Sequence, residues 1–508
     1  MPSRLQLRLA ALRGLRADLA ALALGCLAAA ALPPFHLIPV LLVSVPGLLT
    51  LLDASPSPWV AARRGWWFGL GHHLLGLYWI TEAILFEAAR FWWLVPLAVP
   101  AVAAVLAVFI GAACLLAWLA PRGWPRVLAL AGAWVLTDLA RQFVLTGFPW
   151  NPWGSVWEIP GLIGDVFIQP AALVGVHGLT FVTLLIAALP TLSRRWWLGG
   201  CALLVGWIAF GLMRLQGTVP PQALTVVLQQ GNVPQGQKFD QALASRIFQH
   251  YLDLSAGAHP NGPAVDVWPE TAFPGLLDVD QPARQVIEQA NNQAPSLIGS
   301  VRFDEDRRPR NSLVAIVDGG TVAGIYDKWH LVPFGEYIPD WLPLPIMVMP
   351  GNGFASGPGP RTLHVPGLPP VGPLICYEAI FSGEITDNND RPSWLVNVTN
   401  DAWFGNSTGP RQHLAAARMR AVEEGLPLVR AANTGISAAF DARGHEIGRI
   451  GMQRSGTLSV VLPGPLPRPL YARFGLWLPT IMGFVALTLA LAVRKIAPQS
   501  RRNPPLGQ

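Results

Sequence analysis

"GPLICYEAIF", residues 372–381, carries a short apolar run into a cysteine, a tyrosine and a glutamate. Such a run, opened by Gly and Pro, reads as a buried β-strand. Cys376 then stands at its C-terminal end, where α/β folds gather functional side chains. The chain has four cysteines. Cys26, Cys114 and Cys201 lie in long apolar stretches, so Cys376 is the one thiol in a polar region. A strand cysteine is most often a small core residue. Reading it as a nucleophile therefore depends on its surroundings.

Similar runs lie on both sides. "ALTVVLQ" (223–229), "AVDVWPET" (264–271), "PSLIGSVRF" (295–303) and "SWLVNVTND" (393–401) read as strands, and 239–256, 281–292 and 411–425 as helices. Asp-Gly-Gly inside "NSLVAIVDGGTVAGIYDK" (311–328) marks a hairpin, and "LVRAANTGISAAFDARGHEIGRI" (428–450) adds strands and turns. Strands alternating with helices, followed by hairpins, predict an α/β sandwich over 222–463.

The flanks are different. Of 508 residues, 52% are hydrophobic and 13% charged, against about 25% charged in ordinary soluble domains. The apolar excess lies before residue 213 and in "FGLWLPTIMGFVALTLALAV" (474–493). A membrane-crossing helix needs about 20 apolar residues. The pattern predicts seven spans within 1–213, at roughly 17–32, 37–53, 65–86, 93–119, 125–141, 165–192 and 196–213, and an eighth at 474–493. Pro33 and Pro34 separate the first two, which suggests a tight helical hairpin. Arginine clusters before the first span, after the second, between the fourth and fifth, between the sixth and seventh, and after the last all fall on one side. The positive-inside rule then makes both termini cytoplasmic and turns the polar domain outward. That alternation requires the first helix to be retained rather than cleaved as a signal peptide.

The net charge of +6 forms no basic stripe with interleaved aromatics, which argues against nucleic acid. No CxxC or Cys/His spacing indicates zinc or a redox pair, and no metal is expected. His72 and His73 are adjacent within a span, face different sides and suit interior hydrogen bonding. Glu82 and Glu87 flank the outward end of that span. Asp138 and Arg141 are spaced to pair on a helix. Tryptophans near 66–67, 92–93 and 150–157 fit an interfacial belt.

A thiol of pKa about 8.5 needs a base or cation to act as a nucleophile at neutral pH. Glu270, closing "VWPE", and Lys328, closing "GIYDK", both fall at strand ends. A carboxylate can take the thiol proton, and a lysine can steady a tetrahedral anion. No GxSxG competes. Taken singly, a Glu after Pro is more often a solvated turn, and a Lys after Asp a surface charge.

"WPE", "YDKWHLVPFGEY" (326–337) and "ICYE", with "NVTNDAWFG" (397–405) and "RAANTGISA" (430–438), resemble in type and order the nitrilase superfamily, whose Glu-Lys-Cys triad sits in an αββα sandwich. The insertion of that domain between membrane spans, together with "LTGFPWNPWG" (145–154), resembles the bacterial apolipoprotein N-acyltransferases over nearly the whole chain. The resemblance implies Glu270 as general base, Lys328 as oxyanion stabiliser and Cys376 as nucleophile. It implies supporting or substrate-binding roles for Glu336, Tyr377, Glu378, Trp403, Phe239 and Trp150. Lys238-Phe239, where the family leads one to expect Lys-Trp, and "NPWGSVWEIPG" after "GFPW" are departures that touch the lipid contacts.

The resemblance further implies a bacterial inner-membrane enzyme with its catalytic domain on the periplasmic side, expected as a monomer and without cofactor. Its donor would be a phospholipid and its acceptor a diacylglyceryl-modified apolipoprotein. Acyl transfer would pass through a Cys376 thioester. The alternatives from the residues alone are a membrane-tethered amidase and a non-enzymatic transporter or scaffold. Glu270, Lys328 and Cys376 occurring together count against the second.

Overall fold

The computed structural model describes residues 4–86, 88–238, 240–258, 262–340, 342 and 353–496, with 494–496 by backbone only. Among these, two sheets stack between helices. The first sheet contains β1 (Thr225–Gln230), β2 (Ala264–Trp268), β3 (Ser296–Phe303), β4 (Pro309–Val317) and β5 (Thr321–Asp327). The second contains β6 (Val371–Ile375), β7 (Trp394–Thr399), β8 (Leu428–Ala432), β9 (Ser437–Phe440) and β10 (Glu446–Ile450). A last strand, β11 (Gly456–Val461), returns to the first sheet beside β1, giving the orders β11-β1-β2-β3-β4-β5 and β10-β9-β8-β7-β6. Strands β1-β2-β3 run parallel, as do β6-β7-β8, while the hairpin strands pair antiparallel.

The inner faces meet in one core that includes Val226, Val267, Leu297, Leu313, Val396, Val398 and Val429. Helices Ala244–Ala256 and Gln281–Ala290 cover the outside of the first sheet through Ile247, Tyr251 and Ile287. Helix Gly409–Glu424 covers the second through Leu414, Ala417 and Ala421. The expected sandwich is therefore present, with β4 and β5 joined by Asp318–Gly320 as the Asp-Gly-Gly signal indicated.

The membrane part departs from the expected spans. By length and composition, three described helices can cross a membrane: Ala88–Leu119, Ala171–Thr191 and Arg194–Arg214. Ile38–Asp53 and Trp477–Val493 are shorter apolar helices. The stretch expected as one span at 65–86 is two helices, Pro58–Gly76 and Ile80–Phe86, because the chain leaves the helical region at Leu77. The 165–192 span is broken between Ile168 and Ala171, and again at Gly175, whose φ is +66°. A Cβ there would lie 2.3 Å from the Tyr471 ring, so only glycine fits both the angle and the space. Hydropathy averages across such breaks and does not register them. Glu87 lies outside the described residues.

Helix Gly409–Glu424 is buried on almost every side although its sequence is polar. Its polar side chains bind the membrane part. The Gln412 amide oxygen accepts the indole N–H groups of Trp79 (3.1 Å) and Trp150 (2.8 Å), while its nitrogen donates to the Pro33 carbonyl (3.2 Å). Arg418 pairs with Asp165 at 2.6 Å. Glu423 accepts from the Val176 N–H at 2.7 Å, capping the half-helix that restarts after Gly175.

The expected aromatic belt holds only in part. Trp92 is 71% exposed, but Trp150, Trp153 and Trp157 are buried, their N–H groups donated to Gln412, His72 and Thr183. Outside the bilayer-facing surface an indole is better satisfied by a buried acceptor. Asp138 and Arg141 pair at 3.1 Å, and His72 makes the expected interior hydrogen bond.

Strand β3 approaches the Glu270 backbone so closely that a Cβ on Gly299 would sit 2.2 Å from the Pro269 carbonyl oxygen and 2.6 Å from the Glu270 Cα. Gly299→Ala must push β3 away from that segment. We expect it to cost about 1–3 kcal/mol, the usual range for overpacking, read as a lower unfolding midpoint of the full chain in detergent. An unchanged midpoint would show that the two segments separate freely.

Candidate active site

Lys328 follows β5 and is 1% exposed. Its Nζ lies 3.3 Å from Glu270 Oε1 and 2.9 Å from Glu336 Oε1. The Asn311 amide, from β4, donates to both carboxylates, at 2.7 Å to Glu270 and 3.1 Å to Glu336. The other Glu270 oxygen accepts from the Asn400 backbone N–H at 2.8 Å, and the other Glu336 oxygen from the Val332 N–H at 2.8 Å. One ammonium thus joins two carboxylates, and every carboxylate oxygen has a donor.

A second ammonium stands beside them. Lys238, at the end of the short helix Gln235–Lys238, is buried and donates to the Glu270 carbonyl at 2.6 Å. Burial pushes its pKa down to about 8, against the pull of the Glu270 carboxylate and of Cys376 when that thiol is ionised. Burial acts on Glu270 in the opposite sense, but Lys328 and then Lys238 outweigh it and hold the carboxyl below the ordinary glutamate range. For Lys328 burial is outweighed by Glu336 and Glu270, which keep it protonated.

Cys376 directly follows β6 and opens the 3-10 turn Cys376–Ile380 with φ +52°. It is 6% exposed, and its thiol lies near enough to the Glu270 carboxylate and the Lys328 ammonium for both charges to act on it. Burial and then the Glu270 charge push the thiol well above its usual range, opposed by Lys328. The resting thiol is therefore neutral.

The supporting residues divide. Glu378 is a backbone organiser: its oxygens accept from the N–H groups of Trp329 (2.8 Å) and Ile375 (2.6 Å) and from the Tyr326 hydroxyl (3.0 Å), tying the segment after Lys328 to the nucleophile strand. Burial raises its pKa to about 7. Tyr377 donates its hydroxyl to the Gly147 carbonyl at 3.0 Å, a link to the membrane part. Trp150 is 3% exposed and holds Gln412, so its contacts are with protein. Trp403 meets Phe86 edge-to-face at 5.3 Å. Phe239 lies outside the described residues.

Sequence reading assigned no role to Asn311, Asn400, Lys238, Asp401, His413 or Arg430. Asn400, Asp401 and Arg430 fall inside the blocks "NVTNDAWFG" and "RAANTGISA", which was the available signal. One atom each of Cys376, Asp401 and His413 lie within 4.8 Å of one another, a spacing open to a metal ion. The donors are already engaged: Arg430 lies 2.7 Å from Asp401, and both His413 nitrogens have partners. The Arg430 guanidinium already neutralises the carboxylate a cation would need.

Residues 24–189 match the family model described as Apolipoprotein N-acyltransferase N-terminal domain, and residues 230–463 match Carbon-nitrogen hydrolase. A protein named apolipoprotein N-acyltransferase from Rhodopseudomonas palustris is 38% identical, covering 96% of both chains. One from Bradyrhizobium diazoefficiens is 39% identical over 97% of both, and one from Brucella melitensis is 36% identical over 99% of this chain and 100% of its own. At that identity over nearly its full length, the chain belongs to the apolipoprotein N-acyltransferase family.

Proposed function

We propose that this chain transfers an acyl group from a membrane phospholipid to the N-terminal α-amine of a diacylglyceryl-cysteine on an apolipoprotein, through a thioester on Cys376. The observation that carries the reading is the buried Lys328 ammonium held between Glu270 and Glu336, with Cys376 near enough to feel the charges of Glu270 and Lys328, in a domain bonded to apolar helices.

In the first half-reaction Glu270 takes the thiol proton as sulfur attacks the ester carbonyl. Because the thiol is held high and Glu270 low, that transfer is uphill in the resting site. It is best coupled to attack, when the charge passes from sulfur to the oxyanion. Lys328 stands to stabilise that charge, as does the Tyr377 N–H in the first turn of the 3-10 helix, where no helical carbonyl precedes it. Collapse breaks the ester C–O bond, Glu270 returns the proton to the departing alkoxide, and a lysophospholipid leaves. In the second half-reaction the amine attacks the thioester carbonyl, Glu270 takes the amine proton, the C–S bond breaks and Glu270 passes that proton to the departing sulfur, restoring thiol and carboxylate. Glu336 and Asn311 keep Lys328 and Glu270 in register throughout.

Both substrates are anchored in a bilayer, which accounts for a catalytic domain fused to membrane helices. Eight crossings, at the positions given by the arginine alternation, would leave both termini cytoplasmic and the sandwich on the outer side of the inner membrane. Breaks at Leu77 and Gly175 are compatible with that count, since a membrane helix may be interrupted where protein resatisfies its backbone. The protein acts as a monomer in this reading.

Phospholipid alone should leave a hydroxylamine-labile acyl group on Cys376, detected by intact mass. Cys376→Ser and Glu270→Gln should abolish it, and Lys328→Met should slow it by roughly 10²–10³. Normal acyl-enzyme in Glu270→Gln would remove the carboxylate from the mechanism. A lysine of lowered pKa is charged below that pKa and neutral above it. Acylation that needs the Lys238 charge should therefore fall as pH rises through about 8, and Lys238→Met should lack that limb. An identical profile in the variant would rule out the charge requirement. A reporter fused at residue 300 should be active only outside the cytoplasm; activity inside would overturn the topology.

A further inference from the structure

A second group of buried side chains reaches Cys376 through its backbone. His413, on helix Gly409–Glu424, is fully buried, and its Nε2 lies 2.9 Å from the Cys376 carbonyl oxygen. A carbonyl only accepts, so Nε2 carries the hydrogen. On the other edge of the ring, Nδ1 is 2.9 Å from Asp401 Oδ1 and 3.1 Å from Arg430 Nη2. Arg430 also holds Asp401 Oδ2 at 2.7 Å and Asn397 Oδ1. With the hydrogen on Nε2 the neutral ring accepts at Nδ1 from Arg430, and Asp401 and Asn397 hold that guanidinium in place. Trp150 and Phe404 flank the ring, with centroids at 5.5 and 6.0 Å.

The hydrogen bond falls on a consequential peptide. Cys376 has φ +52°, a region that residues with side chains seldom occupy and that persists only when neighbours enforce it. The peptide unit is planar, so holding the Cys376 carbonyl also sets the direction of the Tyr377 N–H at the other end of that plane. The same bond therefore governs where the sulfur stem points and where one oxyanion donor points.

We propose that His413 is a positioning residue for the nucleophile, holding the Cys376 carbonyl through Nε2–H so that the thiol and the Tyr377 N–H face the same reacting carbonyl. This rests on the reading of Cys376 as nucleophile. It also gives the seam a role in catalysis. Gln412, next to His413, is held by Trp79, Trp150 and Pro33 of the membrane part. Seating of the sandwich on those helices thereby sets the position of the ring that aims the cysteine.

The test uses the full chain in detergent with His413→Gln, His413→Asn and His413→Leu. Glutamine can place an amide N–H where Nε2 stood; asparagine is one methylene short, and leucine has no donor. Acyl-enzyme formation from phospholipid should slow about 100-fold in the Asn and Leu variants, the scale of a small misplacement, with KM unchanged. Gln should recover most of that loss. The same ranking should appear in alkylation of Cys376 by iodoacetamide, which needs no lipid. Equal rates in Gln and Asn, whether fast or slow, would overturn the proposal, and this pair decides it if Leu does not fold. Cys376→Ala separates the underlying reading: acyl transfer by that variant would overturn the nucleophile assignment, whereas the alkylation ranking tests His413 alone.

Discussion

The catalytic half is built around one ammonium that water does not reach. Taking Lys328 out of solvent costs several kcal/mol, and that cost is offset only while Glu270 and Glu336 stand at 3.3 and 2.9 Å. Each carboxylate is equally dependent on the ammonium and on Asn311, which donates to both. These residues come from the end of β2, from β4, from the end of β5 and from the loop beyond it. Their mutual neutralisation therefore fastens the ends of separate strands together. Lys238 brings the nearby formal charge back toward balance, at the expense of a lowered affinity for its own proton.

The sandwich was legible because its strands are short apolar runs punctuated by turn residues, and because Glu270, Lys328 and Cys376 each close such a run. Those closures made the three residues candidates, and the resemblance of the blocks around them to the nitrilase superfamily grouped residues more than a hundred positions apart. Asn311 and Asn400 escaped notice since an asparagine in or after a strand carries no local signal of what it will bind. The helix Gly409–Glu424 was legible as a helix but not as an interior one. Its polar residues Gln412, Arg418 and Glu423 resemble a solvated face until their partners, more than two hundred residues earlier, are in place. The tryptophans of 150–157 misled for the same reason: composition near a membrane boundary cannot distinguish an indole facing lipid from one facing a buried amide.

Breaks in the apolar helices follow a similar logic. Gly175 interrupts a hydrophobic run without lowering its hydropathy, and the N–H it frees at Val176 is taken by Glu423 from the other half of the chain. The two halves thus complete each other's hydrogen bonding. Trp79, Trp150, Pro33, Asp165 and Val176 on one side meet Gln412, Arg418 and Glu423 on the other. Separating them would leave donors and acceptors unpaired on both faces, a heavier penalty than parting two apolar surfaces.

The neutral, buried state of Cys376 has a bearing on survival as well as on turnover. Oxidants and disulfide partners react with thiolates, and susceptibility tracks thiolate fraction and exposure. A cysteine only 6% exposed, its thiol held protonated by burial and by Glu270, is shielded on both counts. On the proposed topology it works outside the cytoplasm, where thiols are not kept reduced. A permanently ionised cysteine would react faster, but it would also be lost to sulfenic acid or mixed disulfides between encounters with lipid. In the proposed mechanism and topology, generating the anion only against a bound ester would keep a reactive thiol intact in an oxidising compartment without a partner cysteine to guard it.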